Sequence, residues 1–130
     1  MADTQYDMSK KDRRVILVKA VMQLFQHWQL SVDQQLMMLG LAPSSRLSLA
    51  RYRKGGPLAP NQDILDRAVI LLDIHKNLRM LFPRNRELVY KWISQPNKAF
   101  KGMTPIDVIS ARGIPGLIMV RAYLDEVAGQ

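Results

Sequence analysis

Three features of the sequence predict an all-α fold. Apolar residues recur at helical spacing along most of the 130 residues, and no segment shows the strict alternation of a strand. Capping residues, glycines and prolines separate the periodic segments. Apolar residues form 48% of the chain, which is enough for a packed core in one domain or in two very small halves.

Charge and composition restrict the class of protein. The formal net charge is +8, and the excess of basic over acidic residues is larger in residues 1–60 than in residues 61–130. This balance favours a nucleic acid, an acidic protein or an anionic surface as partner, although a well-solvated basic surface has the same composition. The absence of cysteine excludes disulfides, thiolate metal sites and a cysteine nucleophile. Without an apolar signal segment or a run long enough to span a bilayer, we expect a cytoplasmic protein that does not enter a membrane.

The first helix is predicted from Lys10 to Trp28. Its inward face carries Leu17, Val21, Leu24, Phe25 and Trp28, and Val15, Val18 and Met22 widen that face to roughly half the circumference. A face this wide predicts either burial on two sides or a homodimer contact, and the homodimer is the preferred of the two.

The next two helices have the arrangement of a helix-turn-helix. Ser31 can cap the second helix in a capping box with Gln34, and Gly40 can end it. Ser44 can cap the third helix, which runs to Lys54 and buries Leu49 and Tyr52. The residues left for DNA contact are Ser44, Arg46, Ser48, Arg51, Arg53 and Lys54, in a segment without acids, although Leu47 is apolar for a groove-facing surface. The alternative is an exposed basic helix in an ordinary bundle.

Four further helices complete the prediction. The fourth covers residues 62–81 and stops before Pro83, with His75 as a packed neighbour of its apolar face, and the fifth covers residues 84–94. An irregular crossing, Trp92–Pro105, follows, in which aromatic residues need a pocket and Pro96 and Gly102 fix the backbone. Thr104 and Pro105 begin the sixth helix, which ends near residue 112, and the last helix covers residues 115–127.

Residues that could carry catalysis or hold a cofactor do not cluster. His27 and His75 lie in different helices, and the sequence has no nucleophile elbow, phosphate loop or dinucleotide motif. We therefore expect neither an enzyme nor a cofactor or metal site.

The C-terminal part of the chain combines a tryptophan, a Pro-Asn pair, an aromatic residue, a glycine, a Thr-Pro helix start and a final helix with an arginine and a Tyr-Leu pair. These are Trp92, Pro96, Asn97, Phe100, Gly102, Thr104, Pro105, Arg121, Tyr123 and Leu124. In this pattern the C-terminal part resembles the toxin-binding domain of the Xre/MbcA/ParS-type bacterial antitoxins. The helix-turn-helix lies upstream, where this family has an Xre-like helix-turn-helix bundle.

The resemblance implies two activities in two domains. Residues 83–130 would bind a cognate RES-domain toxin, a class that degrades NAD, and obstruct its active site. The contact residues would be Arg112, Arg121, Tyr123, Leu124, Glu126 and Val127, while the motif residues from Trp92 to Pro105 mostly hold shape. Residues 1–82 would form a homodimer and bind the promoter DNA of the operon. The alternative is a stand-alone helix-turn-helix regulator whose C-terminal region only dimerises.

Overall fold

The structure is a computed structural model that describes residues 10–129. The regular secondary structure of this part of the chain is entirely helical, without a strand, so the predicted all-α fold is confirmed. The α-helices are α1 Lys11–His27, α2 Val32–Met38, α3 Arg46–Arg53, α4 Gln62–Leu81, α5 Arg86–Lys91, α6 Pro105–Arg112 and α7 Ile114–Ala128. Two short 3-10 helices, Trp92–Ser94 and Lys98–Phe100, lie between α5 and α6.

The chain forms two compact units that divide between Val69 and Ile70, within α4. The sequence placed the domain boundary after Phe82, at the end of the same helix, and this boundary stays a prediction. The two units are described separately below.

In the first unit, α1 contributes most of the core. Leu17, Val18, Val21, Leu24 and Phe25 are all buried. Burial on both sides therefore explains much of the wide apolar face of α1, while Ile16 remains 61% exposed. The side chain of Arg14 donates a hydrogen bond to the carbonyl of Leu58 (2.8 Å), which fastens the segment after α3 to α1.

The start and the end of α2 are formed by the interactions that the sequence predicts. Ser31 Oγ accepts a hydrogen bond from the Gln34 amide, and the Gln34 side chain accepts one from the Ser31 amide. This reciprocal pair satisfies two amides that lack partners at a helix start. Gly40 follows the helix with a positive φ of 69°, which a residue with a side chain rarely adopts.

The start of α3 differs from the prediction. Ser45, not Ser44, is the N-cap residue, and its side chain makes no capping hydrogen bond. The amide of Ser45 donates to the carbonyl of Ala42 (2.9 Å), so that Pro43 and Ser44 lie in a tight turn one residue before the cap. Leu49 and Tyr52 are buried as predicted.

In the second unit, α7 runs beside α4 in the same direction. Arg121 donates to Asp73 (3.0 Å) and Asn77 donates to Asp125 (2.6 Å), and each pair spans 48 residues of sequence. Equal offsets at two successive helical turns require parallel helices.

Helix α7 also packs closely against α6, at Gly116. A Cβ atom added to Gly116 would lie 2.6 Å from the carbonyl oxygen of Val108 and 2.9 Å from the Cα atom of Ile109. The two helices therefore touch backbone to backbone.

The predicted fifth helix is shorter than expected. Asn85 caps α5 by accepting a hydrogen bond from the Leu88 amide (3.0 Å), and α5 changes to a 3-10 helix at Trp92. Gln95 is extended, with ψ of 140°, because the ring of a following proline disfavours helical geometry at the residue before it. The helical segment must therefore end before Pro96.

Candidate functional site

The orientation of α3 is set by its buried residues. Leu49 and Tyr52 are 1% and 6% exposed, so the opposite face of the helix points outward. Leu47, Arg51 and Lys54 lie on this outer face at spacings of four and three residues. The outer face of α3, defined by these three residues, thus carries two cations and one large apolar side chain.

The other predicted DNA contacts flank this outer face. Arg46 forms an exposed ion pair with Asp33 of α2 (2.8 Å), and such pairs contribute only ~0–1 kcal/mol, so a phosphate could compete for Arg46. Ser48 accepts a hydrogen bond from Arg51 (3.2 Å). Arg53 points toward a groove of about 770 Å³ that is also lined by residues of α1. The structure therefore places four predicted cations on or beside one short helix, with Ser44 in the turn before it.

In the second unit, Asn97 closes the crossing between α5 and α6 into a compact loop. Its side chain accepts a hydrogen bond from the Ala99 amide (2.9 Å), and its carbonyl accepts from the amides of Phe100 and Gly102. Its own amide donates to the carbonyl of Met103 (3.1 Å). These bonds pair the backbone amides of residues 97, 99, 100 and 102 and join the two ends of the loop.

Three aromatic rings fasten this loop to α7. Tyr123 stacks on Trp92 with ring centroids 6.3 Å apart and meets the edge of Phe100 at 5.4 Å. Directly after the loop, Thr104 Oγ1 accepts a hydrogen bond from the Asp107 amide (3.0 Å), which caps α6. The sequence motif thus forms one connected cluster.

Two known families match this chain, and together they cover nearly all of it. Residues 7–72 match the antitoxin Xre-like helix-turn-helix domain, and residues 77–129 match the antitoxin Xre/MbcA/ParS C-terminal toxin-binding domain. This chain belongs to the Xre/MbcA/ParS antitoxin family. The antitoxin is also similar to the uncharacterized protein y4oB of Sinorhizobium fredii. That match has 31% identity over 112 residues, which are 86% of this chain and 84% of the relative.

The structure changes the expected contact surface of the antitoxin on α7. Leu124 is only 1% exposed and belongs to the core, so it is not available as a surface contact, contrary to the prediction. Arg121 is paired with Asp73, and Tyr123 lies in the aromatic cluster. Arg112 and Glu126 are exposed, and Val127 is half-buried.

Two apolar residues of α7 are exposed. Ile118 is 44% exposed, and Met119 beside it is 40% exposed. Because all four residues of α7 from Leu117 to Val120 are apolar, the sequence pattern does not distinguish the inner face of this helix from its outer face. The outer face of α7, defined here as Ile118, Met119 and the exposed Ala122, lies between Arg112 and Glu126 along the chain.

The antitoxin also has a basic groove that the sequence did not reveal. It has a volume of about 530 Å³ and lies in the second unit, where the end of α4 meets α5. Its central feature is the ring of Tyr90, which stacks on His75 (5.5 Å between centroids) and lies 5.1 Å from the guanidinium carbon of Arg86. Lys76 and Arg79 also line the groove, and none of the carboxylates between residues 10 and 129 does, so the charge of this described lining favours anions.

The pKa of Glu87, on α5, is perturbed by a neighbouring lysine. Lys91 donates a hydrogen bond to Glu87 (2.6 Å), and this hydrogen bond, with the charge of Lys91, lowers the pKa of the Glu87 carboxyl. Between residues 10 and 129 no cluster of His, Asp or Glu is arranged to hold a metal ion. Within the same range, no helix combines the length and apolar character needed to cross a membrane.

Proposed function

We propose that the antitoxin neutralises a cognate RES-domain toxin of the NAD-degrading class by covering its active site. Membership of the toxin-binding family over residues 77–129 is the observation that carries this proposal. The proposed RES identity of the toxin is supported by the motif between Trp92 and Pro105, which resembles that of the antitoxins paired with such toxins. The proposed setting is the cytoplasm, where NAD is consumed.

The outer face of α7 is the proposed centre of the toxin contact. Protein interfaces typically have an apolar centre surrounded by polar groups. Ile118 and Met119 supply exposed apolar area, and Arg112 and Glu126 supply charges toward either end of the helix. The Asn97 loop and the aromatic cluster would hold α7 in place without contacting the toxin themselves.

Co-expression with the neighbouring reading frame tests this proposal. The neighbour alone should stop growth and lower cellular NAD, and the antitoxin should restore both. Ile118→Glu with Met119→Glu should weaken toxin binding more than tenfold and abolish rescue, because charge is buried at the contact. Leu47→Glu, which replaces a more exposed apolar residue in the first unit, is the control and should still rescue. If the neighbour remains toxic beside the wild-type antitoxin, or if NAD does not change, the proposal fails.

We also propose that the antitoxin binds its own promoter as a homodimer through α3. The support is the helix-turn-helix family match and the acid-free outer face of α3, and a dimer would place two α3 helices on half-sites about one helical turn apart. Sedimentation should give twice the mass of the 14.9 kDa chain.

A salt series measures the contribution of α3 to DNA binding. Arg51→Ala with Lys54→Ala should reduce the slope of log affinity against log salt by about one for each lost phosphate contact, and thus by about two per subunit. Lys98→Ala with Lys101→Ala removes the same charge from the second unit and should leave the slope unchanged. Equal slopes for both pairs would show that α3 does not face DNA.

A stand-alone transcription regulator is the second candidate. It would bind the promoter as above but would form no complex with the neighbouring gene product, which a pull-down from the co-expression strain would show.

A further inference from the structure

Leu47 is the most exposed of the large apolar side chains of the described residues, at 81% of its surface. A single exposed leucine is common on protein surfaces and alone indicates nothing. Its position is the informative feature. It is the second residue of α3, on the outer face with Arg51 and Lys54, and the neighbouring Leu49 is fully buried.

In a helix-turn-helix, the first turn of the second helix reaches the base edges, and cations farther along contact phosphates. Three residues of this first turn could extend toward bases, and two of them have polar partners within the protein. Arg46 is paired with Asp33, and Ser48 accepts a hydrogen bond from Arg51. Leu47 has no polar group to engage and extends from the helix between them.

The chemistry of the major groove then determines what Leu47 can recognise. The base edges there present hydrogen-bond donors and acceptors, and the 5-methyl group of thymine is the apolar feature among them. An apolar side chain that displaces water from a cytosine amino group or a guanine carbonyl would leave that group without a hydrogen bond. Contact with a thymine methyl buries apolar surface on both sides and has no such cost.

We infer that Leu47 is a specificity-determining residue that selects a thymine in each half-site by contact with its 5-methyl group. This inference rests on the proposed DNA binding through α3 and adds the base that is recognised. It also accounts for an apolar residue on a helix face whose other members are cations.

Deoxyuridine, which is thymine without the 5-methyl group, provides the test. A binding site is selected from random duplexes with the full-length antitoxin, and each thymine is then replaced singly by deoxyuridine. Fluorescence anisotropy should show one thymine per half-site whose replacement weakens binding about fourfold, the contribution of one buried methyl group. Leu47→Ala should weaken binding to the thymine site by a similar factor and should no longer distinguish thymine from deoxyuridine at that position. Met103→Ala, which truncates an exposed apolar residue of the second unit outside the proposed toxin contact, should keep the wild-type pattern.

The outcomes separate this inference from the function on which it rests. If no duplex is selected and the promoter is not bound, DNA binding and the inference fail together. If DNA is bound but Leu47→Ala keeps the wild-type sensitivity to deoxyuridine, the inference is wrong and the proposed function stands. If Leu47→Ala instead loses toxin neutralisation with unchanged DNA affinity, Leu47 belongs to a protein interface, which also overturns the inference.

Discussion

The contact between α6 and α7 should make Gly116 one of the least replaceable residues of the second unit. A Cβ atom at this position would lie 2.6 Å from the Val108 carbonyl oxygen, where ordinary van der Waals contact begins at 3.4 Å. Gly116→Ala therefore requires α7 to move by about 0.8 Å, the difference between those distances. The obstacle is backbone, which cannot rotate away as a side chain does.

The expected cost of Gly116→Ala follows from two opposing effects. Overpacking of a close contact lowers the free energy of unfolding by about 1–3 kcal/mol. The higher helix propensity of alanine raises it by up to ~1 kcal/mol. We expect a net loss of about 1–2 kcal/mol in the free energy of unfolding, or roughly 3–8 °C in the melting temperature of a chain of this size.

Thermal and urea unfolding measure this loss, and a second variant separates packing from helix propensity. Ala122→Gly on the exposed side of α7 should cost up to ~1 kcal/mol through propensity alone. Toxin neutralisation should fall in Gly116→Ala, since the shift moves the outer face of α7. If Gly116→Ala were as stable as the wild type, the backbones of α6 and α7 would not be in close contact at Gly116.

Three further predictions concern local interactions of the second unit. Thr104→Ala should lower the free energy of unfolding by about 1 kcal/mol through loss of the α6 cap, and Thr104→Ser should restore most of it; equal stability of Ala and Ser variants in urea would contradict this role. A double-mutant cycle of Arg121→Ala and Asp73→Ala should give a coupling energy of about 0.5–1 kcal/mol at low salt. A coupling energy of zero would show that this ion pair does not stabilise the fold. NMR titration should find the pKa of Glu87 below its usual range in the wild type and at its usual value in Lys91→Met. Because the pKa is lowered in the folded state, the interaction of Glu87 with Lys91 stabilises the fold slightly at neutral pH, and this stabilisation is lost as the pH falls through the folded-state pKa. An unchanged Glu87 titration in Lys91→Met would assign the shift to another cause.

Local signals allowed much of this structure to be predicted from the sequence. Some of these signals are interactions among residues close in sequence, such as the Ser31 capping box and the Thr104 cap, and both form as expected. The end of α4 before Pro83 is likewise where the sequence predicts it. The antitoxin family could be named from the sequence because its motif also consists of residues close in sequence, with proline, glycine and aromatic residues at fixed spacing.

The features that the sequence did not predict depend on contacts between distant residues. Leu124 and Ile118 are both apolar residues of α7, and only packing against other helices decides that Leu124 is buried and Ile118 is not. Arg121 was expected at the toxin, but its partner Asp73 lies 48 residues away. The basic groove around Tyr90 likewise combines residues from two helices, whose angle no local pattern specifies.

The two hydrogen bonds between α4 and α7 also penalise misalignment of these helices. If α7 slid by one turn in one direction, Asp125 would face Asp73, and two carboxylates would repel each other. If it slid one turn in the other direction, the buried Leu117 would take the place of Arg121 opposite Asp73. Each bond is partly exposed and contributes little to stability, but only one alignment allows both. The two pairs therefore favour the correct register of α7 against α4 over the registers displaced by one turn.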